Sequence, residues 1–89
     1  MRIYCVCGAG IGTSVIMARL VEKALAELQI QATVEAVALG EVGARSPAQL
    51  ILATEDVVGS LQTRRSQVVV IKSVTDLNEI RQALTQALG

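Results

Sequence analysis

The chain has 89 residues, enough for one small domain, and its 52% hydrophobic against 18% charged composition supplies a packed core. Eight basic and eight acidic residues cancel, histidine is absent and Tyr4 is the only aromatic, so the basic excess and stacking rings of a nucleic-acid binder are missing. No apolar run is long enough to span a bilayer, and early glycines interrupt any leader-like segment; a soluble cytoplasmic protein with reduced thiols is expected.

Arg2 to Val6 (RIYCV) reads as a strand that runs straight into a glycine loop. Beyond the loop, Met17, Leu20, Val21, Ala24, Leu25 and Leu28 recur at the spacing of one buried helix stripe, with Arg19, Glu22, Lys23 and Glu27 on the opposite side. Ser14 or Thr13 is expected to cap that helix. Ala32 to Leu39 alternates as a second strand, and Gly40 to Pro47 (GEVGARSP) has turn chemistry. Gln49 to Ala53 (QLILA) is apolar throughout, as in a central strand. A short helix is expected near Glu55, weakened by Gly59, then a buried strand at Gln67 to Ile71. A closing helix from Thr75 or Asp76 carries its stripe at Leu77, Ile80, Leu84 and Leu88, with Asp76 and Glu79 spaced for a capping box.

Strands alternating with helices imply right-handed crossovers and an open, mostly parallel α/β sheet within one domain, residues 1–89. Ligands of such sheets bind beyond the carboxyl ends of the strands. The stretch CGAGIGTS (Cys7 to Ser14) lies there, and Thr54, Glu55, Lys72 and Ser73 are expected at the same edge. Gly8, Gly10 and Gly12 permit left-handed backbone and close approach, so loop amides can turn inward around an anion. Thr13 and Ser14 add hydroxyls, and a helix starting there adds a partial positive charge. The same surroundings favour a cysteine thiolate, the form that acts as a nucleophile.

Familiar glycine motifs do not fit. A Walker loop needs a lysine, and none stands between Gly8 and Arg19. Thr13 occupies the third-glycine position of a dinucleotide fingerprint. Cysteine phosphatases place an arginine six residues after the nucleophile, where Cys7 is followed by Thr13 and Cys5 by Ile11. Of the two cysteines, Cys7 is the expected nucleophile because it stands in the exposed loop, whereas Cys5 lies within a strand and belongs to the core. The pair offers two zinc ligands where a structural site wants four, and a bridge between them along a strand has poor geometry. No metal is expected. Met17 reads as core, Arg64 and Arg65 as a solvated turn, and Arg45 as a loop residue.

These residues resemble the cysteine-phosphorylated enzyme IIB component of the bacterial phosphoenolpyruvate-dependent sugar phosphotransferase system, in its ascorbate/lactose/galactitol-type branch. The similarity spans nearly the whole length and is most specific in CGAGIGTSVIM; AQLILATEDVVGSL (Ala48 to Leu61) also looks like the ascorbate-type members. The resemblance implies a phosphocarrier with Cys7 as the phosphorylated residue and Gly8, Ala9, Gly10, Ile11, Gly12, Thr13 and Ser14 as the phosphate loop. The donor would be a phosphohistidine on EIIA and the acceptor a sugar bound by the membrane transporter EIIC, with ascorbate favoured over galactitol. No cofactor, nucleic acid or direct membrane insertion is expected, and the isolated chain is expected to be a monomer. The expected fold is a small Rossmann-like or flavodoxin-like sheet of four strands, order 2-1-3-4, with helices on both faces and the phosphate loop after strand one. Two other readings remain open at this point: a non-catalytic anion- or nucleotide-binding module, and a redox switch using Cys5 and Cys7.

Overall fold

A computed structural model describes residues 1–8, 11–44, 48–61 and 67–88. Strand β1, Arg2–Val6, lies inside the sheet with Ile3, Tyr4, Cys5 and Val6 all buried, which is why it is apolar on both faces rather than alternating. It pairs in parallel with β2, Thr33–Ala36, on one side and with β3, Leu50–Thr54, on the other. Strand β4, Gln67–Ile71, pairs with β3, giving the expected order β2-β1-β3-β4.

Helix α1, Ile11–Glu27, buries Met17, Val21, Ala24 and Leu25 and exposes Arg19, Glu22, Lys23 and Glu27, so the predicted stripe and its polar back are both in place. It stops in a Schellman turn: Ile30 N–H donates to the Leu25 carbonyl (2.9 Å) and Gln29 N–H to that of Ala26 (3.2 Å). Gln29 takes the left-handed conformation (φ 59°) at the position where glycine is usual.

The second strand is shorter than predicted. The alternation of residues 32–39 continues past the ladder, because Val37 turns into the core and the chain then winds into a 3-10 helix, Leu39–Ala44. That helix replaces the turn predicted from Gly40 onward; buried Val42 anchors it against the sheet. The remainder of that predicted turn, Arg45 to Pro47, lies outside the described residues, as do Arg64 and Arg65.

Helix α2, Glu55–Val58, follows β3 without a loop and sets Val57 into the core. Helix α3, Leu77–Leu88, docks through Ile80 and Leu84. Its cap is half of what the sequence implied. Asp76 Oδ1 accepts the N–H groups of Asn78 (3.0 Å) and Glu79 (3.2 Å), as an N-cap should. Glu79 does not return to Asp76: its carboxylate accepts Lys72 N–H (2.6 Å) and Ser73 N–H (2.9 Å), pinning the end of β4 to the first turn of α3. Two amides leaving a strand offer a carboxylate more than one cap amide does, so the box opens.

One face of the sheet carries α1 and α3 over Ile3, Cys5, Leu50, Leu52 and Ile71; Arg81 Nη2 also reaches both Glu27 oxygens (2.9 and 3.1 Å). The 3-10 helix and α2 cover Tyr4, Val6, Ile51 and Ala53 on the other face. Because β1 and β3 are neighbours while the chain leaves β1 toward β2, the strand order reverses between the carboxyl ends of β1 and β3.

Candidate functional site

The residue after β1 is Cys7, and the pairing of Val6 with Ala53 brings it level with Thr54, the last residue of β3. The two strand ends are joined there: Gly8 N–H donates to Thr54 Oγ1 at 3.2 Å. Thr54 precedes α2 in an extended conformation, yet its hydroxyl makes no cap bond to that helix; it serves the β1 loop instead.

The two cysteines differ sharply. Cys5 is fully buried, and that burial, with a smaller contribution from the Glu22 carboxylate, pushes its thiol up to about 12. Its sulfur stays protonated near neutral pH, which suits its predicted place in the core. Cys7 is not in an exposed loop as the sequence suggested. It is 8% exposed, because it leaves the sheet still turned toward the α1 side and packs with Cys5 and Met17 in the same cluster. Gly8 beside it is exposed. Both thiols are free.

The loop differs from expectation in three ways. Helix α1 begins at Ile11, so Thr13 and Ser14 lie inside its first turn and neither is its cap. Thr13 is half-buried, whereas Ser14 is 1% exposed and faces the core. Neither Gly8 nor Gly12 adopts a left-handed φ. Gly12 opens onto free space, whereas a Cβ at Gly8 would lie 2.6 Å from Asp56 Cγ and overlap Oδ2, so that a side chain there would displace the carboxylate. The Gly8 amide is also already engaged by Thr54 Oγ1. At the first turn of α1 the amides of Gly12 and Thr13 have no carbonyl four residues back within the helix. Ala9 and Gly10 lie outside the described residues, as does the side chain of Ile11.

Asp56 is the residue that sequence reading missed. Thr54 and Glu55 were placed at this edge from strand ends alone, but the turn of α2 is what swings the second acidic residue over Gly8. The adjacent pair Glu55-Asp56 directly after a strand was the available signal. Lys72 and Ser73 lie one strand further out, after β4, with their amides held by Glu79. Met17 is core, with no exposure. Among the described residues, no helix is long and apolar enough to cross a membrane.

Comparison with known proteins gives a consistent picture. The family model described as PTS system, lactose/cellobiose-specific IIB subunit, matches residues 2–86. The ascorbate-specific PTS system EIIB component of Mycoplasma pneumoniae is 32% identical over 90 residues, covering 99% of this chain and 95% of that protein. The lactose-specific IIB component domain of the phosphoenolpyruvate:carbohydrate phosphotransferase system from Streptococcus pneumoniae superposes with a TM-score of 0.62 at 16% identity, covering 99% of this chain and 90% of that one. At that identity the superposition speaks for the fold alone.

Proposed function

The chain belongs to the lactose/cellobiose-specific IIB family of the sugar phosphotransferase system, and from that premise we propose that it relays a phosphoryl group on Cys7. The observation that supports this most is the contrast between the two thiols. Cys7 ends at the switch point of the sheet, beside the open backbone of Gly8 and ahead of α1, while Cys5 is sealed and held protonated. Gly8, Ala9, Gly10, Ile11, Gly12, Thr13 and Ser14 form the loop around the transferred group in this reading. The direct donors within it are the α1 amides and the Thr13 hydroxyl.

The chemistry is two in-line displacements. The Cys7 thiolate attacks phosphorus of a phosphohistidine on EIIA; the S–P bond forms as the P–N bond breaks, and the electron pair returns to the imidazole. A hydroxyl oxygen of the sugar held by EIIC then attacks phosphorus and gives up its proton to solvent, the O–P bond forms as the S–P bond breaks, and the pair stays on sulfur. Amides at the start of α1 face the charge that develops on the phosphoryl oxygens without reorganising. The chain acts as a single domain and a monomer at the cytoplasmic side of its transporter. Ascorbate is the favoured substrate, because the relative at 32% identity bears that name.

The test is labelling from phosphoenolpyruvate through the general phosphotransferase proteins and an EIIA partner. Wild type and Cys5→Ser should take up label and Cys7→Ser none. Label surviving in Cys7→Ser would refute the assignment. A redox switch is less favoured by the structure, since a thiol held near 12 makes a poor partner for exchange.

A further inference from the structure

Asp56 stands in the site for a reason that the relay, as described so far, does not use. Its carboxylate lies against Gly8, the residue next to Cys7, so closely that no other amino acid fits at position 8 without moving it. Thr54 ties the Gly8 amide to the end of β3, and Asp56 follows two residues later in the first turn of α2. The side chain is exposed, and the ion pairs among the described residues, Arg2 with Glu35 and Arg81 with Glu27, do not involve it. Nor does the sequence offer a cation inside the loop: from Gly8 to Ala18 there is no lysine or arginine.

A phosphoryl group on Cys7 brings roughly −1.5 to −2 charge to this place. It would be held by amides and hydroxyls, with a carboxylate at the edge of the same loop. That is the reverse of a site built to retain phosphate, where arginine or lysine closes the cradle. For a relay the arrangement has a use. Stabilising the intermediate more than the flanking transition states slows its departure, so a carrier works best when its loaded form is not too comfortable.

The geometry points to Asp56 as the residue that sets phosphoryl-transfer potential: a negative charge beside Gly8 that raises the free energy of phospho-Cys7 and speeds its discharge. This rests on the phosphocarrier reading above. Asp56 exchanges no proton and forms no bond in either step. The S–P bond forms as P–N breaks and breaks as O–P forms, and the carboxylate acts only through its charge.

The experiment compares wild type, Asp56→Asn and Asp56→Ala, with Glu55→Gln as a control that removes an equal charge one residue away. Each is equilibrated with phosphorylated EIIA, and the phosphorylated fraction is read by intact mass; discharge to EIIC and sugar is then timed. Melting curves for each variant confirm folding, which an exposed side chain should not upset. Removing one like charge at close range from a partly solvated site shifts such an equilibrium by about tenfold. Both Asp56 variants should therefore hold phosphoryl about tenfold more favourably than wild type and discharge it correspondingly more slowly, with Glu55→Gln close to wild type. Equilibria within twofold of wild type in both variants would overturn the proposal, and so would a fall in loading, which would mean that Asp56 assists capture. The wild-type lane separates the two claims: no loading of wild type refutes the phosphocarrier reading itself, while normal wild-type loading with unchanged variants refutes only the role of Asp56.

Discussion

Cys5 lies within β1 and Cys7 directly after it, both in one core cluster, yet Cys5 is fully enclosed whereas Cys7 keeps 8% exposure beside the exposed Gly8. A thiolate needs either water or positive partners, and Cys5 has neither: apolar neighbours enclose it and the nearest charge named, Glu22, is negative. A pH signature follows. In the native state the Cys5 thiol keeps its proton up to about 12, against a starting value of 9.0. Between those values the unfolded chain binds fewer protons than the folded one, so stability is complete below about 9 and declines as pH rises. The expected slope is about 1.4 kcal/mol per pH unit in that window. Urea unfolding from pH 8 to 11 should show this slope in wild type and lose it in Cys5→Ala; parallel slopes would contradict the buried-thiol account. Gln29 gives a second test at this scale. Its left-handed φ closes the Schellman turn of α1. Gln29→Gly should remove the Cβ strain and raise stability by about 0.5–1 kcal/mol, read as a higher urea midpoint at an unchanged slope.

Helix α3 shows what one carboxylate does for an element. Glu79 takes two amides from the turn after β4, while Asp76 takes two from the helix itself, so four backbone donors at one junction are satisfied by two side chains. Glu79→Ala would leave two of them to water and should cost roughly 1–2 kcal/mol, measured as a lowered melting temperature. Glu79→Gln, which keeps one acceptor oxygen, should fall between; an unchanged Glu79→Ala would show that water replaces the clamp at no cost. This junction also marks how far elements could be read from sequence. The bounds of β1 and β4 were legible to the residue, but β4 is not the buried strand expected: it lies at the sheet edge, with Val70 exposed and only Ile71 buried. The start of α3 was legible to within a residue or two from Asp76, but the partner of Glu79 was not, since a side chain's choice among several free amides depends on the approach of β4. The 3-10 helix at Leu39–Ala44 was hidden for a related reason. Two glycines and one inward valine carry no helical periodicity, and burial of Val42 decides the conformation.

At the scale of the whole molecule, the order of strands does most to make a site. Placing β2 and β3 on opposite sides of β1 leaves a gap at the carboxyl edge, and Cys7 and Thr54 close it from two strands. An open, mostly parallel sheet could be inferred from the alternation of strands and helices, and with it the carboxyl edge as the place for ligands. The strand order was expected only alongside the family resemblance. The lateral contacts across that edge could not be inferred, because Gly8 and Asp56 are far apart in the chain and meet only through the register of β1 with β3. Of the glycine-rich stretch, Gly8 lies at the carboxyl edge against the Asp56 carboxylate, a contact that sequence reading did not anticipate. The most direct test of a relay on Cys7 is peptide mapping by mass spectrometry of wild-type protein loaded from phosphorylated EIIA. The account predicts one phosphoryl group, carried on the peptide containing Cys7 and located on its sulfur. Phosphoryl found on Thr13, Ser14 or Cys5, or an anion bound without any covalent adduct, would contradict it.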